Sequence, residues 1–469
     1  MAKLSPGQGW VLGLTAVASF MVSLDTQVVA TALPAIRLHL HASLSSLEWT
    51  VNAYTLSFAV LLLTGTALGE RLGRRRMLAV GLGLFTAASA ACALAPDVGV
   101  LVAARAVQGA GSALVLPLAF ALLSAGFGPR QRAWAIGIFS SLTGLAVVSG
   151  PVVGGAVTQG LAWQWIFWLN VPIGLVLIPL VLTRLGASPG ARASLDPIGL
   201  VLATGAALGL VWALIRANSI GWGSTEIIAT LTAGAALGLV FVGWELRTAT
   251  PMVPVRLFRL PAFAAGNAAC FCLFAVLFGM VFFMAQFLQT GLGYGPLGTG
   301  LRLVPGWGML TLIAPFSGSL IRRLGERVLI AGGLTAFAAG LVWIALIART
   351  GLPYADLVAP LVLAGAGVSV AIAPTQSVVM TAVSPVDIGK ASGTFNMLRQ
   401  LGGVFGIAIC AAVFAGYGGY SSPSAFVNGF GPAMFACAGL ALAGGLAGLL
   451  LPRRRLVPAA VPLVLEASR

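Results

Sequence analysis

The chain is dominated by long apolar runs, with little strict alternation of polar and apolar positions. A run of about 20 apolar residues matches the hydrocarbon core of a bilayer. Fourteen such runs can be read, at 10–33, 48–69, 77–95, 98–125, 133–158, 163–183, 197–216, 227–246, 261–289, 298–320, 328–348, 355–380, 391–415 and 430–451. Gly and Ala dilute 197–216 and 227–246, which makes these two the weakest. The ten-residue alternating segments of a membrane β-barrel are missing. The pattern therefore predicts an all-α integral membrane protein. The first run is long enough to span and is expected to be a retained helix, not a cleaved signal.

Composition agrees. Of 469 residues 59% are apolar and only 8% are Asp, Glu, Lys or Arg, against about 25% charged in a typical soluble domain. A soluble enzyme, a coiled coil and a disordered chain are all excluded on that ground. The net charge of +15 would suggest nucleic acid in a soluble protein, so its placement decides its meaning. With an even number of spans, alternate loops and both tails hold 20 of the 26 basic residues, from Lys3 through Arg71, Arg74, Arg75, Arg76, Arg192 and Arg322 to Arg453, Arg454, Arg455 and Arg469. The other six are Arg37, Arg105, Arg216, Arg302, Arg349 and Arg399. That asymmetry is a positive-inside signal, placing both termini in the cytoplasm; no nucleic-acid partner is expected.

The chain also repeats. Thr66-Ala-Leu-Gly-Glu-Arg-Leu-Gly-Arg-Arg75 returns 252 residues later as Gly318-Ser-Leu-Ile-Arg-Arg-Leu-Gly-Glu-Arg327, with five of ten positions identical. The same offset aligns Gly150, Val152 and Gly154 with Gly402, Val404 and Gly406, and a nearby one aligns Gly109-Ala-Gly111 with Gly365-Ala-Gly367. We therefore expect a six-helix bundle over 1–190, two inserted helices over 191–255 and a second six-helix bundle over 256–469. In such repeated architectures the substrate path lies between the halves near the bilayer midplane.

Several motifs follow in order: Leu24-Asp-Thr-Gln-Val-Val-Ala-Thr-Ala-Leu-Pro34; the loop Glu70-Arg-Leu-Gly-Arg-Arg75; Leu101, Arg105, Gln108, Gly109 and Gly111; Gly150-Pro-x-x-Gly-Gly155; and Trp163-Gln-Trp-Ile-Phe-Trp-Leu-Asn-Val-Pro-Ile-Gly174. In this order they resemble the major facilitator superfamily, specifically its fourteen-span drug:proton antiporter branch. The departures are Gln27 for a usual threonine, Ala30 for an asparagine, Thr66 and Glu70 for a glycine and an aspartate, Ala146 for a glycine, and Gln164 for an arginine. The resemblance implies a proton-coupled antiporter that exports hydrophobic or cationic small molecules, such as drugs, dyes, antibiotics or natural products, by alternating access. It implies a multi-pass protein of a bacterial inner membrane, acting as a monomer on a small-molecule substrate and protons. A narrow-specificity metabolite exporter of the same fold is the alternative.

Within that frame Asp25 is the only acidic residue well inside a span, where a carboxylate costs about 2.5–3.5 kcal/mol on insertion scales. Counting 1.5 Å per residue from Pro34 puts it about 13 Å below the outer boundary, and counting from Val98 puts Arg105 at about 11 Å. Asp25 and Arg105 are thus expected to pair and to carry proton coupling or substrate binding. Glu70, Arg71, Gly73, Arg74 and Arg75 are expected to form a cytoplasmic gate latch. Gly150, Pro151, Gly154 and Gly155 should give a kinked, closely packed helix. Gln27, Asn52, Tyr54, Gln108, Gln289, Asn396 and Arg399 are candidates for the cavity wall, and Arg399 has no evident partner. Trp163, Trp165 and Trp168 read as interfacial anchors.

Catalytic chemistry is not expected. The spans hold no convergent His, Cys and carboxylate set, and no G-x-x-x-x-G-K-[ST] loop for nucleotide is present. His39 and His41, in one loop without a carboxylate cluster, make a metal site improbable. No cofactor is expected beyond a proton gradient. A sensor would need an output domain, for which the loops are too short.

Overall fold

A computed structural model of the protein describes residues 5–186, 196–384 and 387–452. The basic residues Lys3, Arg192, Arg453, Arg454, Arg455 and Arg469, counted above for orientation, lie outside them. The described residues are helical, with no strand among them. Thirteen helices are long and apolar enough to cross a membrane, and one of these, Pro296–Ile347, has 52 residues. At 1.5 Å per residue it would measure about 78 Å, more than two bilayer cores. It divides at Gly325, whose φ of 77° and ψ of 158° are not helical. The chain is therefore a multi-pass membrane protein, whose described residues make fourteen crossings.

The crossings are α1 (Pro6–Leu40), α2 (Leu44–Leu72), α3 (Arg74–Ala93), α4 (Val98–Gly126), α5 (Pro129–Gly160), α6 (Trp165–Arg184), α7 (Pro197–Ile220), α8 (Thr225–Arg247), α9 (Pro261–Gly291), α10 (296–324) and α11 (326–347) on either side of Gly325, α12 (Tyr354–Thr381), α13 (Ile388–Tyr417) and α14 (Pro423–Leu449). One face of the bundle carries Pro6, Gly73 and Leu449 and is called the terminal face. The other, with Leu40 and Pro296, is the opposite face.

The repeat is built in three dimensions at the level of single atoms. Gly73 (φ 99°) and Gly325 (φ 77°), 252 positions apart, both make the turn between consecutive helices with a backbone that L side chains rarely adopt. Gly111 is pressed against the Phe85 amide and Gly367 against the Phe337 amide; a Cβ there would lie 2.7 and 2.4 Å from those nitrogens. Phe85 and Phe337 are themselves 252 apart. Likewise Gly150 abuts Gln27 on α1, and Gly402 abuts the Phe271 carbonyl on α9. At Gly111, Gly367 and Gly402 two backbones touch, and at Gly150 the helix closes on the Gln27 side chain, approaches that only a residue without Cβ allows.

α1–α6 and α9–α14 form the two halves. They meet along two seams, α5 against α10 and α2 against α13, while α7 leans on α13 and α2 and carries α8 on its outer side. One expectation fails. Pro34 does not end the first span: α1 runs on to Leu40, with Pro34 inside it. A depth counted from Pro34 is therefore too shallow by more than a helical turn. A proline breaks one hydrogen bond of a helix, and in a packed bundle the rest of the helix persists.

Candidate functional site

Asp25 sits on α1, 1% exposed, and Arg105 on α4, also 1% exposed. Arg105 donates through Nη1 to Asp25 Oδ2 at 2.6 Å and to Gln108 Oε1 at 2.7 Å, and through Nε to the Thr50 carbonyl at 3.2 Å. Asp25 Oδ1 accepts from Gln108 Nε2 and from Asn170 Nδ2, both at 2.9 Å. Ser89 Oγ accepts from Gln108 and Asn170 and donates to the Phe167 carbonyl. The Arg105 guanidinium lies 4.2 Å from the Tyr54 ring centroid, and the Tyr54 hydroxyl shares a 2.8 Å bond with Ser112. One buried network thus ties α1, α2, α3, α4 and α6 together. A charge in such a place is tolerable only when paired and hydrogen-bonded; Arg105 donates three of these bonds and Asp25 accepts three. The predicted pair forms. Asn170 and Ser89, its other anchors, were not anticipated.

Between the halves lies a cavity of about 690 Å³. Gln27 and Arg399 line it; Asn52, Tyr54, Gln108, Gln289 and Asn396, also expected on its wall, are not among its lining residues. Tyr54 and Gln108 are taken up by the Asp25 network. Asn52 is fully buried, and neither atom of its side-chain amide has a partner. Asn396 is bonded to Ser392 on its own helix. Gln289 donates across the halves to the Thr31 carbonyl at 2.9 Å. The wall is instead mainly apolar and aromatic, with Phe274, Phe278, Phe282 and Trp307. Asp25 is not on the wall, but its neighbours Thr26 and Gln27 are, and Thr26 bonds to the Tyr54 hydroxyl.

The cavity is closed toward the opposite face. Among the described residues two hydrogen bonds join the six-helix halves, Gln289 to Thr31 and the Leu297 amide to Gln159 Oε1, and both lie on that side. There Arg37 stacks over the Tyr420 ring at 4.2 Å, and Tyr420 hydrogen-bonds Gln286. Burial pushes the Tyr420 phenol up, the Glu48 charge adds to this and Arg37 opposes it. Glu48 belongs to this seal: it is 2% exposed, with Oε2 unpartnered. It stands at the start of the run 48–69, where a charge reads as a solvated boundary residue, so the sequence does not mark it as a second buried acid.

The glycine-proline motif of α5 lies in the same seal. Gly150 and Gly154 face α1, where a Cβ would meet Gln27 Cβ at 2.3 Å and Thr31 Oγ1 at 2.5 Å. Gly155 faces the other half: a Cβ there would lie 2.3 Å from the Pro296 carbonyl oxygen. Reciprocally, Gly300 on α10 abuts the Pro151 carbonyl oxygen. The motif is thus a two-sided spacer, holding α1 on one flank and the partner half on the other.

In the loop motif Glu70 pairs with Arg74 one turn on, at 2.6 Å. Arg75 reaches the Leu185 carbonyl at 2.9 Å, and Arg71 is exposed. The Glu70 ion pair stays within its own half. Trp163 departs from its expected role: it is 3% exposed and packs edge-on to His39 and Phe167, whereas Trp165 is 48% exposed.

Comparison with known proteins matches this arrangement. Residues 15–407 fit the model of the Major Facilitator Superfamily. The cephamycin export protein CmcT of Amycolatopsis lactamdurans is 37% identical over 449 residues, covering 94% of this chain and 92% of that one. The multidrug resistance protein Stp of Mycobacterium tuberculosis is 35% identical, covering 86% and 75%. The tetracenomycin C resistance and export protein of Streptomyces glaucescens is also 35% identical, covering 87% and 76%. Among solved structures, the POT family transporter PepTSo shares the fold, with a TM-score of 0.73 at 13% identity over 96% of this chain and 98% of that one. The chain belongs to the Major Facilitator Superfamily, among transporters that include multidrug and antibiotic exporters.

Proposed function

We propose that the protein is a proton-coupled antiporter that exports hydrophobic small molecules from the cytoplasm, with the terminal face cytoplasmic. The observation that carries this reading is the juxtaposition of one buried Asp25–Arg105 network with a mainly apolar cavity whose wall begins at the adjacent residues Thr26 and Gln27. The excess of basic residues in the terminal-face loops supports the orientation, and the export functions named for the relatives support the direction of transport.

Asp25 is the candidate proton carrier. Ionised, it holds α1 to α4 and α6 through Arg105, Gln108 and Asn170. Protonated, it no longer balances the Arg105 charge, and the grip between those helices weakens. Thr26 and Gln27, one and two residues along α1, transmit that change to the cavity wall. Proton uptake at Asp25 and substrate release from the cavity are thereby linked through one helix. Closure of the opposite face by α5 and α10, followed by its opening and closure of the terminal face, would give alternating access.

The test uses inside-out vesicles carrying an imposed pH gradient, acid inside. A panel of neutral, anionic and cationic dyes is added. At least one dye should accumulate and dissipate the gradient in vesicles with the protein and not in vesicles without it. Dye accumulation that leaves the gradient untouched would reject proton coupling.

A further inference from the structure

The charge of the cavity wall narrows the substrate class. Arg399, on α13, is exposed to the cavity. It is the sole charged side chain among the described residues that line it. Among the described residues it enters no salt bridge; its guanidinium rests 4.8 Å from the Phe274 ring centroid. Asp25 cannot serve as its counter-ion, because Oδ2 is committed to Arg105 and Oδ1 to Gln108 and Asn170. Glu48, the other buried acid near the seam, is in the opposite-face seal and is not on the cavity wall. The substrate chamber therefore carries one uncompensated positive charge inside an aromatic shell.

We infer that the protein's preferred substrates are amphiphiles that pair an aromatic or polycyclic body with an anionic group, such as a carboxylate, sulfonate or ionised phenol or enol, and that Arg399 is the residue that binds that group. This rests on the reading of the central cavity as the substrate site. A guanidinium offers a planar fork of donors matching two oxygens of a carboxylate or sulfonate. Beside an apolar and aromatic wall such a bond is less screened than at an open surface. The Ser140 and Ser141 side chains elsewhere on the wall supply neutral hydrogen-bonding groups. Phe274, Phe278, Phe282 and Trp307 supply surface for a ring system. A lone cation on the chamber wall also disfavours cationic ligands, since like charges in one site repel.

Exporting a monoanion against one proton moves two positive charges inward per cycle. Exporting a monocation against one proton moves none. An anion exporter of this kind is driven by the membrane potential as well as by the pH gradient.

The test is equilibrium binding to the purified full-length protein in nanodiscs, where no gradient is needed, so that its failure is separable from failure of proton coupling. The probes are 8-anilinonaphthalene-1-sulfonate, its uncharged relative N-phenyl-1-naphthylamine, and the cation ethidium. Wild type should bind the sulfonate about tenfold or more tighter than the uncharged relative, the ratio a hydrogen bond to a charged group carries. Arg399→Gln should abolish that ratio while leaving N-phenyl-1-naphthylamine binding unchanged. Arg399→Lys should keep most of it. Equal sulfonate preference in wild type and Arg399→Gln, or ethidium binding to wild type as tight as the sulfonate, would overturn the inference. Should Arg399→Gln fail to fold, the wild-type ranking of the three probes and the Arg399→Lys ratio still decide.

Discussion

Replacing Gly155 by alanine tests how the opposite face closes. The new Cβ would lie 2.3 Å from the Pro296 carbonyl oxygen and 2.9 Å from Leu297 Cα, all backbone atoms of α10. Ordinary contact begins near 3.4 Å, so α5 and α10 must part locally by about 1 Å, and no flexible side chain can yield instead. Overpacking of this kind costs about 1–3 kcal/mol. The cost exists only while the two halves touch along this seam, because Gly155 faces the partner half. It therefore enters directly as a difference between two states, and shifts their ratio by about 5- to 150-fold toward an open opposite face. Gly154→Ala is the control. Its Cβ meets Val28 and Thr31 of α1, inside one half, so it should lower stability in both states and leave their ratio alone. Spin labels at Leu161 and Thr350, both exposed near that face, would report the separation of the halves by pulsed electron–electron distance measurement. Gly155→Ala should populate a longer distance absent from wild type. If Gly154→Ala shifts the distribution as far, or Gly155→Ala not at all, the division of the motif into an inner and an outer flank is wrong.

Other outcomes follow from the same contacts. Asp25→Asn leaves Arg105 buried without its counter-ion and should lower stability by about 3–5 kcal/mol; Asp25→Asn with Arg105→Gln should recover part of that loss, measured by thermal unfolding in detergent. Non-additivity below about 0.5 kcal/mol would mean the two charges are not coupled. Gly73→Ala and Gly325→Ala, each at positive φ, should cost about 1–2 kcal/mol of left-handed strain by similar amounts, in keeping with their equivalent places in the repeat. A loss at one position and none at the other would contradict that equivalence.

Legibility in the sequence followed the cost of exposing a group to lipid. A carboxylate and a guanidinium inside apolar runs are expensive, so Asp25 and Arg105 stood out, and each needed a partner. Asn170 and Ser89 carry no charge, and neutral polar residues serve so often as interhelical bonds that nothing marked them as anchors of Asp25. Glu48 was hidden by its place at the edge of a run. The aromatic wall of the cavity could not be read because Phe274 and Phe282 look the same in sequence whether they face a chamber or a neighbouring helix. The glycines were legible through motif and repeat: Gly155 stands in the Gly-Pro-x-x-Gly-Gly motif, while Gly111 and Gly367 recur in matching contexts, and their shared contact with a phenylalanine amide gives the reason. The end of α1 was misjudged because proline usually punctuates a helix in water, whereas Pro34 lies inside one that packed neighbours hold.

In the proposed mechanism Asp25 carries the proton that drives export. The most direct measurement compares two modes of transport in proteoliposomes, using any dye that wild type accumulates under a pH gradient. Counterflow, the exchange of labelled for unlabelled dye with no gradient, needs the cavity and alternating access alone. Accumulation against the dye's own gradient also needs the proton. Asp25→Asn should retain counterflow and lose accumulation. An Asp25→Asn protein that still concentrates the dye when driven only by a pH gradient would contradict the account.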